Sequence, residues 1–355
     1  MKVIKKVLIM AMFILVSVNI FAVPAFNKTM TQKQSNGKEI TYNLFGDEFI
    51  SWARTTDEYT LLYNNRGDLV YAVLDNNRNL VASNVVASNV NQRDAKEIAF
   101  LSTIQRQYVY SKSQLSNIKQ KRQQRFSRNN NSIDYAPTTG RPKFLVILVN
   151  FSDLTMNSSN ATTFHNQISD SAYTTNNSTG SVKDYFYDNS LGQLNAQFDV
   201  YGPYTLPHTQ SYYGAQTSTG DNDTLPQMMA YDAVHLADSI GNVNFANYDN
   251  DNDGYVDMVH IIYAGRGEHN GGGTNAIWAH SWVFPSGTTL DGVNFYSYSC
   301  SCELNYSSTC DGIGTICHEM GHVLGLPDFY DTDYEEKWRT IYSPSIMGSY
   351  GKRKL

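Results

Sequence analysis

The sequence predicts a mixed α+β or α/β fold in two parts, a small β-rich unit followed by a larger domain, and three observations carry that reading. Between about Ala25 and Ser111 run short alternating segments, Glu39 to Phe45, Tyr59 to Tyr63 and Leu69 to Leu74, broken by Asn, Gly and Asp turns. After Pro142 the stretch Phe144-Leu145-Val146-Ile147-Leu148-Val149-Asn150-Phe151 is nearly continuous and β-branched, as a central strand buried on both faces requires. Beyond it, helical and strand-like patterns alternate, which is the order of a mixed domain. With 355 residues and 41% hydrophobic content, the chain can build two cores.

Taken in order, residues 1–22 read as an export signal. Lys2, Lys5 and Lys6 precede an apolar run from Val7 to Val16, and Ala22 and Ala25 offer small residues for cleavage. The apolar stretch is about 15 residues, short of the roughly 20 that a spanning helix needs, so no membrane span is expected in the mature chain. Residues 23–111 form the β-rich unit. Asn65-Arg66-Gly67-Asp68 and Asn76-Asn77-Arg78-Asn79 follow strand-like runs at hairpin spacing, which suggests a meander.

Residues 112–141 change to Gln, Arg, Lys, Asn and Ser, with the run Lys119 to Arg125, and read as a solvated linker or frayed helix. Such a stretch is either a plain connector or an exposed processing site. Residues 142–355 are the larger domain. Helices are expected at Ser181 to Ser190, Thr224 to Ala237 and Gly312 to Leu324, the last closed by Gly325, and strands at Gln197 to Tyr204 and Met258 to Tyr263.

Charge and cysteine content narrow the functional classes. With 27 Lys and Arg against 33 Asp and Glu, the net charge of -6 lacks the basic surface of a polyanion binder, so no nucleic-acid partner is expected. The four cysteines all fall between Cys300 and Cys317. In an exported chain they admit up to two local disulfides with three possible pairings, or partly free thiols, in preference to a four-cysteine zinc site.

The chemistry concentrates at His318-Glu319-Met320-Gly321-His322. Two His four residues apart lie one turn apart on one helical face, so both imidazoles reach a single metal ion, and Glu319 can approach a water activated there. Gly325 permits a sharp turn that returns Asp328 toward the metal as a third ligand, although an Asp beside Pro327 is also a natural turn-former. The segment from His318 to Asp328 resembles the metzincin consensus with Asp in place of the usual third His, and Ser345-Ile346-Met347-Gly348 resembles a Met-turn.

Further segments make the resemblance specific. Gly180 to Phe186, Asn189-Ser190-Leu191-Gly192, Tyr263-Ala264-Gly265, Ile277-Trp278-Ala279-His280 and Pro327-Asp328-Phe329-Tyr330 resemble the immune inhibitor A family of secreted bacterial metallopeptidases over Pro142 to Tyr350. That resemblance implies a metzincin-like zinc peptidase domain with ligands His318, His322 and Asp328, Glu319 as general base, and a zymogen whose propeptide is the β-rich unit. Its partners would be protein or peptide substrates, and its place secreted or at the cell surface. Tyr350 is a candidate donor to the developing oxyanion, and Asp47 or Glu48 a candidate for blocking the metal in the latent form.

Asp249, Asp251, Asp253, Gly254, Tyr255 through its carbonyl, and Asp257 stand at positions one, three, five, six, seven and nine of a calcium loop, with His260 where the bidentate Glu belongs. A structural Ca2+ is therefore expected beside the catalytic Zn2+. The chain ends at Leu355 just after the Met-turn, which raises a second class: a truncated, non-catalytic, calcium-stabilised surface or binding protein derived from such a peptidase. A small-molecule metallohydrolase is the third. Trp278 and His280 are candidates for the substrate wall by the family resemblance, with core as the alternative for a Trp beside an apolar run; Glu268 and His269, beside a Gly-rich turn, either bind metal or form a solvated loop, the second being preferred.

Overall fold

The computed structural model describes residues 25, 29–124, 135–175, 178–216, 223–329 and 345–348. The export signal and Tyr350 lie outside the described residues. The first unit is a six-stranded antiparallel meander of β1 (Thr29–Lys33), β2 (Glu39–Asp47), β3 (Ile50–Thr55), β4 (Thr60–Tyr63), β5 (Leu69–Leu74) and β6 (Leu80–Val86), in spatial order β1-β2-β3-β4-β5-β6. Tight turns suffice because each strand pairs with the next. Gly67, in the β4–β5 turn, takes a φ of +77°, a left-handed conformation that glycine enters without steric cost. Inward residues Ile40, Tyr42, Leu44, Leu61, Leu69 and Tyr71 form its core.

α1 (Ala95–Leu101) and α2 (Lys112–Gln124) follow, so the first part of the linker is helical. The α1 start is fixed by Asp94, whose side chain accepts from the Lys96 and Glu97 amides.

The larger domain holds β7 (Lys143–Asn150), α3 (Ser158–Ser169), α4 (Val182–Asn189), β8 (Gln197–Thr205), α5 (Gln210–Gly214), α6 (Pro226–Ser239), β9 (Tyr255–Val256), β10 (Val259–Arg266), β11 (His280–Val283), β12 (Thr289–Leu290), β13 (Val293–Phe295), β14 (Ser297–Leu304) and α7 (Ile313–Val323). Its main sheet has the order β11-β14-β10-β7-β8. β8, β7, β10 and β14 run parallel, and β11 joins the edge antiparallel. β7 lies inside this sheet with Phe144 through Val149 at most 1% exposed, and β10 pairs with it from Val259↔Leu145 to Tyr263↔Val149. Burying each such side chain contributes about 1.5–3 kcal/mol.

Helix starts are legible in the residues. Ser181 caps α4 in a capping box with Asp184, and Pro226 occupies the first turn of α6. α7 packs over β14 and β11. Every residue from Thr315 to Val323 is buried, so this helix runs through the interior.

Candidate metal centre

The centre is built by α7 and the turn that ends it. Because α7 has 3.6 residues per turn, His318 and His322 project together, and their Nε2 atoms stand 3.2 Å apart. Gly325, at φ +91°, reverses the chain; its N–H donates to His322 O and that of Leu326 to Gly321 O. The reversal brings Asp328 back, with Oδ1 3.1 Å from His318 Nε2 and Oδ2 3.7 Å from His322 Nε2. All three side chains are buried.

The donor set fits a zinc ion. Ligands at about 2.0–2.1 Å in a tetrahedral shell stand about 3.3 Å from one another, which is the spacing of these three groups. The imidazole tautomers agree. Nδ1–H of His318 donates to Ile346 O at 2.9 Å and Nδ1–H of His322 to Leu326 O at 2.9 Å, which leaves both Nε2 lone pairs toward the shared point. Ile346 belongs to the Met-turn, so that turn orients a ligand through its backbone. Met347 is buried beside Gly321, where a Cβ would stand 2.9 Å from its Sδ, and Phe329 N–H donates to Met347 O at 2.7 Å. Glu319 is fully buried between the two His positions.

The acidic loop is brought together only in part. Asp249, Asp251 and Asp253 present carboxylate oxygens within 4.8 Å of one another. Asp257 turns aside, its Oδ2 accepting from the Asn250 amide and side chain at 2.7 Å. Burial pushes the Asp257 carboxyl up to about 6 against the pull of those Asn250 bonds, with Asp251 and Asp253 raising it further. Tyr255 opens β9 beside the loop, and Asn294 N–H reaches Gly254 O. His260 is interior to the sheet, held by Ser299 and Ser301 hydroxyls at 2.8 and 2.9 Å, with burial lowering its pKa to about 3.

His280 is buried, with Nδ1 against Trp278 O at 2.7 Å and Nε2 against Tyr298 OH at 2.8 Å. Trp278 is buried against the core of the first unit. One expectation is corrected. Glu268 and His269 are buried, not solvated, because the first unit covers their loop. The four cysteines are buried, with no disulfide among them. Asp47 Oδ1 accepts from the Phe49 and Ile50 amides and so closes the β2–β3 turn.

A cluster joins His269, a possible metal ligand on sequence grounds, to Cys302 and Asp311, with Cys302 Sγ 3.8 Å from His269 Nε2 and 4.0 Å from Asp311 Oδ2. Its residues come from three separate elements, so no spacing announces it. Ala279 N–H approaches His269 Nδ1 at 3.3 Å and Asn270 Nδ2–H donates to Nε2 at 3.1 Å, so the cluster is a hydrogen-bonded interior group whose three side chains also lie close enough to share a metal ion.

A mixed α/β domain that presents two imidazoles and a carboxylate from a His-Glu-x-x-His helix has the architecture of a metallopeptidase. The family model for the immune inhibitor A peptidase M6 catalytic domain matches residues 133–353, and the chain belongs to that family. Immune inhibitor A of Bacillus thuringiensis subsp. alesti is 32% identical over 189 residues, 46% of this chain and 28% of the relative. The pre-pro-metalloprotease PrtV of Vibrio cholerae serotype O1 is 27% identical over 246 residues, 58% of this chain and 27% of its own length. The matches thus span under a third of these relatives. A crystal structure of metalloproteinase-II from Bacteroides fragilis aligns over 86% of this chain and 79% of its own at 13% identity, with a TM-score of 0.25. Among the described residues no helix is long and apolar enough to cross a membrane.

Proposed function

We propose that the chain is a secreted, zinc-dependent endopeptidase made as a zymogen, with residues 23–111 as its propeptide and residues 142–355 as its catalytic domain. The observation that carries this reading is the convergence of His318 Nε2, His322 Nε2 and Asp328 within 3.1–3.7 Å, each imidazole anchored at Nδ1 by a carbonyl. Zinc held there supplies Lewis-acid polarisation of a scissile carbonyl and acidifies a bound water.

The protein's own part follows from the side chains. Glu319, one residue beyond His318, takes the proton of the attacking water and passes it to the leaving amine, a general acid–base role worth about 10²–10⁴-fold in rate. Its burial removes competing solvent and strengthens its electrostatic action on the reacting groups. Tyr350 is assigned as a donor to the oxyanion, on sequence position alone. The Ile346 and Leu326 carbonyls lock the ligand rings so that little reorganisation accompanies each turnover.

A structural calcium ion is proposed at Asp249, Asp251, Asp253, the Tyr255 carbonyl and Asp257, supported by the three converging carboxylates. Asp257 must exchange its Asn250 bond for the ion, or act through water. Bound calcium would pin the approach to β9 and β10.

The test is zinc content and casein hydrolysis of the purified chain beside Glu319→Ala. Stoichiometric zinc in both, with cutting in the parent alone, is the expected result. A parent that holds zinc yet cuts nothing, with or without residues 23–111, would instead establish the non-catalytic binding protein.

A further inference from the structure

We propose that the first unit docks on the catalytic domain through a proton-linked contact, in which the docked face holds Glu268 and Asp223 as neutral acids and releases the first unit as they ionise. The seat is made by residues 267–282 and Tyr306. Trp278, from the catalytic domain, is fully buried in the core of the first unit with Met30, Tyr42 and Tyr71. Met30 Sδ lies where a Cβ on Gly271 would be 3.1 Å away, Tyr306 OH donates to Thr29 O at 3.0 Å, and Phe49 meets the edge of Trp282 at 5.7 Å.

Two carboxyl groups lie in this seat. Glu268 is 1% exposed; its Oε1 accepts from Gln216 Nε2 at 2.8 Å and, among the described residues, its Oε2 has no hydrogen-bond partner. Asp223 is half-buried; its Oδ2 accepts from the Trp278 amide at 3.0 Å, and its Oδ1 is inaccessible with no partner among the described residues. Among the described residues neither carboxylate has a cation within ion-pair distance. The groups facing them are Tyr42 of β2, Glu48 of the β2–β3 turn and Tyr63 of β4 on one side. On the other are Gln216, Tyr263 of β10 and Cys300 of β14, the last two raised by burial and further by nearby charges that include Asp223. Arg266, which acts on Tyr42, donates to Gly271 O and Ser308 Oγ.

Two neighbouring anions without a cation in a dry contact are costly, so the proton stays. Burial pushes Glu268 up to about 8, partly offset by the Gln216 bond, and burial and then the Glu268 charge push Asp223 well above the carboxylate range. A cavity of about 930 Å³ lined by Tyr63, Arg66, Gln216 and Asn275 opens beside the contact.

The direction follows from linkage. Wetted on undocking, both acids move back toward the ordinary carboxylate range; docked, they hold their protons to higher pH. Docking is therefore tightest in acid, weakens as pH rises from the ordinary carboxylate range, and levels off for Glu268 above about 8. Each acid changes the opening constant about tenfold per pH unit inside that window. What this means for activation rests on the propeptide reading; the proton linkage does not.

The experiment is amide hydrogen exchange on the intact chain in a Glu319→Ala background, which removes self-cleavage, at about pH 6 and about pH 8. Rates are corrected for intrinsic exchange, and 267–278 and β2 are compared with β7 as an internal reference. The opening constant of the seat is expected to rise about 100-fold or more over those two pH units, with β7 unchanged. Glu268→Gln with Asp223→Asn should flatten it, and Glu268→Gln alone should reduce the slope. A parent with the same opening constant at both pH values overturns the proposal, and so does a double variant that keeps the full dependence. Failure of the propeptide reading would show separately, as casein hydrolysis indifferent to removal of the first unit.

Discussion

Met347 offers a sharp test of how the Met-turn supports the metal centre. Its side chain is 1% exposed and its Sδ sits against Gly321, on the turn of helix between the two His ligands. Met347→Ala deletes three heavy atoms, worth about 2–2.5 kcal/mol in transfer at roughly 0.8 kcal/mol per methylene-sized group. The cavity left behind brings the expected loss to about 2–5 kcal/mol. A second effect separates function from bulk stability. Ile346 O holds His318 Nδ1 at 2.9 Å and Met347 O accepts from Phe329 N–H one residue beyond Asp328, so a collapsing turn disorients two ligands together. Zinc affinity should then fall about 10–100-fold, the usual cost of disturbing the groups that orient metal ligands. Denaturant unfolding gives the first number and competition with a chromogenic chelator the second. Met347→Leu, of similar volume, should cost under about 1.5 kcal/mol and keep the affinity. If Met347→Ala lost the predicted stability while binding zinc as the parent does, the Met-turn would be mere packing and the orienting argument would fail.

Asp328→Ala should reduce zinc content far more than Asp328→Glu, read by metal analysis after dialysis; equal retention in both would remove Asp328 from the ligand set. Gly325→Ala forces an L-residue to φ +91° with its Cβ 3.0 Å from the Tyr135 ring. A loss of about 1–2 kcal/mol from conformation alone is expected, and an unchanged melting temperature would refute it. For the acidic loop, calcium at about 100 times its dissociation constant should stabilise the fold by about 2.7 kcal/mol. Asp251→Ala should abolish the calcium-dependent rise in melting temperature, whereas a parent insensitive to calcium and chelator would dismiss the site.

The elements that were legible in advance are those whose signal is local. The strands of the first unit, the buried run of β7 and helices α4, α6 and α7 follow from periodicity and from caps such as Ser181 and Gly325. Glu268, read as solvated, misled for the opposite reason, and the His280 partner was equally hidden. Nothing in a Gly-rich stretch tells that another part of the chain will cover it, and nothing in Trp278-Ala279-His280 tells that the imidazole will turn to Tyr298, 18 residues on.

The sequence by itself determined the convergence of the proposed ligand set, because two His at helical spacing and an Asp just beyond a left-handed glycine meet through backbone geometry confined to eleven residues. Tertiary structure alone decided which carbonyls orient those ligands. It also decided which thiols lie buried, that His269 meets Cys302, and that Glu268 and Asp223 come near each other. Each of these depends on groups brought together from distant parts of the chain, where proximity comes from packing and leaves no period or spacing to read.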